Sequence, residues 1–252
     1  MSDPSAATPF ARPDGRAPDA LRPVAFETGV AGNAAASVLI RMGRTHVLCA
    51  ATVEEAVPGW MRYQKVPGGW VTAEYSMLPH ASDGGRMKRE ASQGRLGGRT
   101  MEIQRLIGRA LRAVVDLKQL GPRTIWVDCD VIQADGGTRT ASITGGYLAL
   151  RMAIFRLMAE ARIEASPLLG RVAAVSVGMV EGTPLLDLNY PEDFRADVDM
   201  NVVMTDAREY VEVQGTAEAQ AFPRTSLNAM LDLAEKGIVE LLGLGEAVEG
   251  TR

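Results

Sequence analysis

Hydrophobic and polar positions change period several times along the chain, and each change marks an element. Three short runs of β character open it at 23–27, 36–41 and 46–53, separated by turns at Gly32-Asn33 and Gly43-Arg44. Their closeness predicts antiparallel hairpins. A further strand at 70–75 is followed by a polar, glycine-containing stretch, 79–98, with no apolar period. A loop of about twenty residues is long enough to be suspected of function. From 99 to 116 the period is helical: Ile103, Leu106, Ile107, Ala110, Leu111 and Val114 form one stripe, with Glu102, Arg105, Arg109 and Arg112 opposite. A strand at 124–132 precedes a second helix, about 140–161, which is apolar enough to be mostly buried. Strands at 172–180, 185–188, 196–205 and 210–214 lead to a closing amphipathic helix at 226–242. Hairpins and crossovers are mixed, with no internal linker or short repeat. The pattern predicts a single-domain α+β (mixed α/β) fold over 17–243, between a flexible N-terminal tail, 1–16, and a C-terminal tail, 244–252.

Composition narrows the class. With 252 residues, 46% hydrophobic and 23% charged, the chain can bury a sizeable core and is neither disordered, collagenous nor a coiled coil. No apolar run reaches the ~18 residues of a membrane span, and residues 1–16 lack the apolar centre of a secretory signal, so a cytoplasmic location without a membrane partner is expected. Cys49 and Cys129 lie inside apolar β runs and read as buried thiols. The only histidines are His46, within a strand, and His80, which argues against a histidine-based triad or metal centre. Phosphate-loop, dinucleotide, nucleophile-elbow and zinc-protease signatures are absent.

Charge changes the picture more. The net charge of −4 conceals a segment from Arg86 to Arg112 with net +6 and another from Glu181 to Glu218 with net −8. The first suits a polyanion and the second a metal ion or a proton, unless both are merely solvated faces. Within the basic segment, Arg86, Lys88, Arg89 and Arg95 fall in the aperiodic loop, where their charges are expected to be mobile and free to meet the body of a polyanion.

Two similar turns stand before helices: Gly97-Gly98-Arg99-Thr100 and Gly136-Gly137-Thr138-Arg139-Thr140. A helix N-terminus offers unpaired N–H groups and a positive dipole end, glycine lets an anion reach the backbone, and Arg and Thr add donors, so each resembles a phosphate cradle. An ordinary threonine-capped turn is the other reading, although a cap has no need of a guanidinium. In the acidic segment, alternation places Asp197, Asp199 and Asn201 on one face of a strand with Val198, Met200 and Val202 on the other, and Asp193 lies just upstream. Converging carboxylates hold Mg²⁺ or raise one another's pKa, unless the strand simply faces solvent.

These segments resemble the ribonuclease PH family. The similarity is carried by Arg12-Pro-Asp-Gly-Arg16, Leu21-Arg-Pro-Val24, Gly69-Trp-Val-Thr-Ala-Glu-Tyr75, Gly97-Gly-Arg-Thr-Met-Glu-Ile-Gln-Arg-Leu-Ile107, the very specific stretch from Gln133 to Gly145, Val172-Ala-Ala-Val-Ser-Val-Gly178, Asp199-Met-Asn-Val-Val-Met204 and Glu212-Val-Gln-Gly-Thr-Ala-Glu218. The resemblance implies a ribosomal-protein-S5-domain-2-like fold. It also implies a phosphorolytic 3′-to-5′ exoribonuclease acting on RNA, tRNA precursor 3′ ends included, and able to run in reverse as a nucleotidyltransferase. Arg99, Gly137, Thr138 and Arg139 would bind the co-substrate inorganic phosphate, and Asp193 and Asp199 would hold Mg²⁺ or protonate the leaving group. A homo-hexameric ring, a trimer of dimers, comes with it. One departure is visible: where the family usually has arginine after Met-Leu-Pro, this chain has His80, which makes any RNA contact there weaker and pH-dependent. Two other classes stay open. A catalytically silent RNA-binding ring subunit would have no use for the acidic pair, and a metal-dependent hydrolytic nuclease would have none for two phosphate cradles. An aromatic content of 5% is thin for a single-strand binding module.

Overall fold

The computed structural model describes residues 10–218 and 220–249. Its first sheet contains β1 (Val24–Thr28), β2 (Ala36–Met42), β3 (Thr45–Glu54), β4 (Trp70–Met77) and β5 (Thr124–Gln133), in the order β1-β2-β3-β5-β4. All neighbours are antiparallel except β4 and β5, which run parallel. The crossover that this requires is supplied by α2 (Gly98–Arg112) and α3 (Leu117–Leu120), while α1 (Gly59–Gln64) lies between β3 and β4 in the chain. After α4 (Thr138–Ala159) comes a second, antiparallel sheet: β6 (Val172–Val180), β7 (Thr183–Leu186), β8 (Val198–Thr205) and β9 (Tyr210–Ala217), in the order β7-β6-β8-β9. The short α5 (Tyr190–Asp193) links β7 to β8, and α6 (Arg224–Glu249) closes the chain.

The helix α4 packs on β2 and β3 of one sheet, on β6 of the other and on α2, which is why its sequence is apolar on nearly every side. Its buried hydroxyls are satisfied locally: Ser142 Oγ donates to Thr138 O at 2.8 Å, and Thr144 Oγ1 accepts from Ala174 N at 3.1 Å. The outer helix α6 covers β6, β7 and β8. One continuous apolar core runs through both sheets. Both cysteines are buried free thiols, facing each other across β3 and β5. Among the described residues, no helix is long and apolar enough to cross a membrane.

Several boundaries move, each for a local reason. The helix expected to reach residue 116 stops at Arg112, and Asp116 instead caps α3 by accepting from Lys118 N at 2.9 Å and Gln119 N at 3.2 Å. Strand β7 ends at Leu186 because Asp187 takes a φ of 53°. Helix α6 continues to Glu249, so residues 244–249 of the expected tail are helical; at Gly245 a Cβ would come 3.2 Å from Leu148 Cδ2, and its absence lets α6 close on α4. At the other end, residues 1–9 lie outside the described residues, but Arg12 of the expected tail is buried. Its Nε and Nη2 donate to Glu192 Oε1 and Oε2 at 2.8 and 2.7 Å, and Nη1 donates to Leu186 O at 2.8 Å. A pair this far from water holds the segment in one place.

Candidate active site

The two halves of the molecule meet at a seam between the β5–α4 turn and the β7–α5 link. Gly136, at φ 74°, lies so close to that link that a Cβ would fall 2.6 Å from Leu188 O and 2.8 Å from the Asn189 carbonyl carbon. Tyr190 N then donates to Asp135 Oδ1 at 3.2 Å. Behind the seam, Arg22 grips Asp187, with Nε donating to Oδ2 at 2.9 Å and Nη2 to Oδ1 at 2.7 Å, and its Nη1 reaches Asp135 O and Thr45 Oγ1. Burial works to lower the Arg22 pKa, but the Asp187 carboxylate beside it prevails and raises it. The link is fixed a second time by a reciprocal cap: Asn189 Oδ1 accepts from Glu192 N at 3.1 Å, and Glu192 Oε2 accepts from Asn189 N at 3.0 Å. Because Glu192 is also the partner of Arg12, two chain segments remote in sequence, that of Arg12 and that of Asp135, are tied to α5.

The seam borders a cavity of about 670 Å³. Arg99, Gly137, Thr138, Arg139, Asp193 and Asp199, six residues singled out in the sequence, all line it. The wall formed by the start of α4 is open: Gly137 is its N-cap at φ 65°, and no side chain caps the helix. Thr138 Oγ1 shares a hydrogen bond with Tyr75 Oη at 2.9 Å; burial raises the Tyr75 pKa, so the phenol stays protonated and able to donate. Arg139 Nη1 donates to Gln214 Oε1 at 3.0 Å, and Gln214 Nε2 donates to Glu102 Oε1 at 2.6 Å, a relay from β9 and α2 that aims the guanidinium. The start of α2 is different. Glu90, in a short 3₁₀ turn of the preceding loop, accepts from Gly97 N at 3.1 Å and from Thr100 Oγ1 at 2.8 Å, so a carboxylate already holds that turn. Of the first turn, only Arg99 reaches the cavity.

Across from these cations, β8 carries Asp199 and Asn201 on the cavity face, in register with Gly178 and Ser176 of β6. Asp197, expected on the same face, precedes the strand and does not line the cavity, whereas Asp193 at the end of α5 does. The Asp193 pKa is raised, first by burial of its surroundings and second by the Asp199 charge, with Arg139, Arg99 and Arg22 pulling it down. The two carboxylates are therefore near enough to repel. Among the described residues, no group of three or more His, Cys, Asp or Glu converges as a metal cluster. Asp193, Asp199 and Asn201 do make a hard, oxygen-only donor set of the kind that Mg²⁺ accepts while keeping several waters.

The loop between β4 and α2 contributes Ser82, Asp83 and Gly84 to the cavity rim. Arg86, Lys88, Arg89 and Arg95 are exposed beyond that rim and do not line it; His80 is exposed as well. Sequence reasoning gave no positioning role to Arg22, Tyr75 and Gln214, although they lie in segments quoted for the resemblance, and passed over Glu90 altogether; the Asn189-x-x-Glu192 spacing was a readable capping signal.

Two successive sequence models of the 3′ exoribonuclease family match the chain, domain 1 over residues 20–155 and domain 2 over residues 170–237. Among solved structures, rice (Oryza sativa) Rrp46 superposes with a TM-score of 0.73 at 19% identity, covering 94% of this chain and 99% of that one. A chain of the Archaeoglobus fulgidus exosome with RNA bound to the active site superposes with a TM-score of 0.74 at 20% identity, covering 92% and 91%. At such identities the likeness establishes the architecture, and the matched family models span most of the chain.

Proposed function

The chain belongs to the 3′ exoribonuclease family that includes ribonuclease PH, and from that premise we propose that it shortens RNA from the 3′ end by phosphorolysis. One observation carries the reading: a single cavity joins Arg99, Arg139 and the uncapped start of α4 to Asp193 and Asp199. An RNA-binding ring subunit without chemistry needs the first set and not the second. A hydrolytic nuclease needs the second and has no use for an open anion site beside it.

Inorganic phosphate would rest on the backbone N–H groups and dipole at the start of α4, clasped by the Arg99 and Arg139 guanidiniums. A phosphate oxygen attacks the phosphorus of the last phosphodiester, and the bond from that phosphorus to the preceding ribose 3′ oxygen breaks. The terminal nucleotide leaves as a nucleoside diphosphate, and the freed 3′ oxygen takes a proton. The Arg pair offsets charge on the phosphoryl oxygens. Asp193 and Asp199 would serve that oxygen in one of two ways: as ionised carboxylates they would hold a Mg²⁺ ion, which when bound supplies electrophilic stabilisation of it, or Asp193, whose pKa is raised by burial and by the Asp199 charge, would deliver the proton. Since one phosphoester linkage is exchanged for a phosphoanhydride with little net driving force, nucleoside diphosphates would extend RNA in reverse.

The exposed cations Arg86, Lys88, Arg89 and Arg95 would hold the body of the RNA, with tRNA precursor 3′ ends as the substrate and the cytoplasm as the setting. A ring of three dimers belongs to the same proposal and is read by light scattering. The deciding experiment incubates the protein with RNA labelled in its terminal nucleotide, with and without phosphate. Labelled nucleoside diphosphate that forms only with phosphate supports phosphorolysis. Monophosphate without phosphate means hydrolysis, and intact RNA that is nonetheless bound means a silent subunit.

A further inference from the structure

Tyr190 and Phe194 stand at the mouth of the cavity, and the chemistry just described makes no use of their rings. Both line it, yet they remain 60% and 79% exposed. They lie four residues apart on one turn, with ring centroids 6.3 Å apart and planes tilted by 39°. Single exposed aromatics are common on protein surfaces, but two together at the rim of a polar cavity need a reason. Their support is also unusually rigid. The turn that presents them is tied down by the Asn189–Glu192 cap, by the buried Arg12–Glu192 pair and by the bond from Tyr190 N to Asp135. None of these ties uses either ring.

Asp193 sits between the two aromatics in sequence and faces the same cavity as Arg139 and the start of α4. A nucleotide whose phosphate approaches those groups therefore has its base near the rim. We propose that Tyr190 and Phe194 form a stacking platform for the unpaired base at the 3′ end of RNA. This deepens the phosphorolytic reading and rests on it. Stacking on a ring that is already ordered costs little further entropy, and every base has a π-face, so the platform would grip the end without choosing a sequence. A base-paired end cannot stack there, which would bias the enzyme toward frayed or single-stranded termini.

The test uses the full-length protein and RNA oligonucleotides carrying 2-aminopurine at the 3′-terminal or the 5′-terminal position, without phosphate. The parent should quench the 3′ probe and not the 5′ probe. The double variant Y190A/F194A should lose that quenching and bind about tenfold more weakly, raising KM for RNA with little change in kcat. Tyr190→Phe and Phe194→Trp keep a π-face and should behave as the parent. Unchanged quenching and KM in a folded double variant would overturn the platform while leaving phosphorolysis intact. A shift in oligomeric state on gel filtration without a KM change would mean that the rings pack against another subunit, and it too would overturn the platform. If the parent neither binds nor shortens RNA, the functional reading fails and the platform falls with it.

Discussion

The chain contains two similar Gly-Gly turns before helices, and the two end in different states. At the start of α2 a Gly-Gly-Arg-Thr turn is closed by Glu90, which takes the hydrogen bonds of Gly97 N and Thr100 Oγ1. At the start of α4 a Gly-Gly-Thr-Arg-Thr turn has no side-chain cap and opens into the cavity. A helix N-terminus attracts negative charge wherever it occurs. Whether that charge belongs to a ligand depends on whether the protein has already provided its own. Arg99 and Arg139 are thus expected to serve the same anion, while only one of the two backbones does.

The guanidiniums give the largest expected effect. Arg139→Ala and Arg99→Ala should each raise the phosphate concentration needed for half-maximal activity by roughly ten- to a hundredfold, the worth of a charge-assisted bond of about 1.5–3 kcal/mol. Lysine at either position should not restore it, since an ammonium lacks the planar fork. A variant that saturates with phosphate like the parent would remove its arginine from the anion site.

The glycines come next and separate the turns. Gly137→Ala places a Cβ at φ 65°, 3.1 Å from Arg22 Nη2 and 3.3 Å from Thr140 Oγ1. It should cost about 1–2 kcal/mol of stability and raise the phosphate requirement about tenfold. Gly98→Ala, with nothing within 4 Å of the new methyl, should do neither. Equal phosphate effects at both glycines, with melting curves as the folding check, would erase the distinction between the turns.

How much of this was legible in the sequence follows from the range of the interactions. The burial of α4 and the alternation of Asp199 with Met200 are local patterns, and they were readable. The placement of Asp197 was not, because the strand begins at Val198. Both glycine turns were readable as anion sites, but the closure of one depends on a carboxylate seven residues upstream in a stretch without periodicity. The pedestal under α5 was further out of reach, since Arg12 and Glu192 are 180 residues apart and their bond exists only once the fold has formed. The expected helix 99–116 ends early because aspartate carries several meanings, Asp116 being a cap of α3, while the closing helix runs on past 242 to Glu249.

Glu90 itself supplies a smaller effect. Glu90→Ala removes the carboxylate that holds Gly97 N and Thr100 Oγ1 at the start of α2 and should destabilise the protein by about 1 kcal/mol, visible in thermal melts. The phosphate requirement should stay where it is, because the α2 backbone is not the anion site. A marked fall in that requirement would show that the uncapped α2 turn can take phosphate, so that Glu90 had been competing for a second site.

The smallest effect concerns the carboxylate facing the open turn. The Asp193 pKa is raised above its ordinary value of 3.8, by burial first and by Asp199 second, against the pull of Arg139, Arg99 and Arg22. A carboxyl whose folded pKa is raised favours the folded state while protonated, below its ordinary range, and loses that contribution as pH rises through the raised value. At neutral pH ionised Asp193 therefore costs stability, and Asp193→Asn should melt higher by roughly 1–2 °C, a modest gain because solvent reaches the side chain. At a pH below 3.8 the two melting temperatures should coincide. Turnover should fall sharply in the same variant, so the two readouts move in opposite directions. If Asp193→Asn melts lower at neutral pH, the arginines around the open turn already more than neutralise the carboxylate, and the turn would then be occupied by Asp193 much as the turn at α2 is by Glu90.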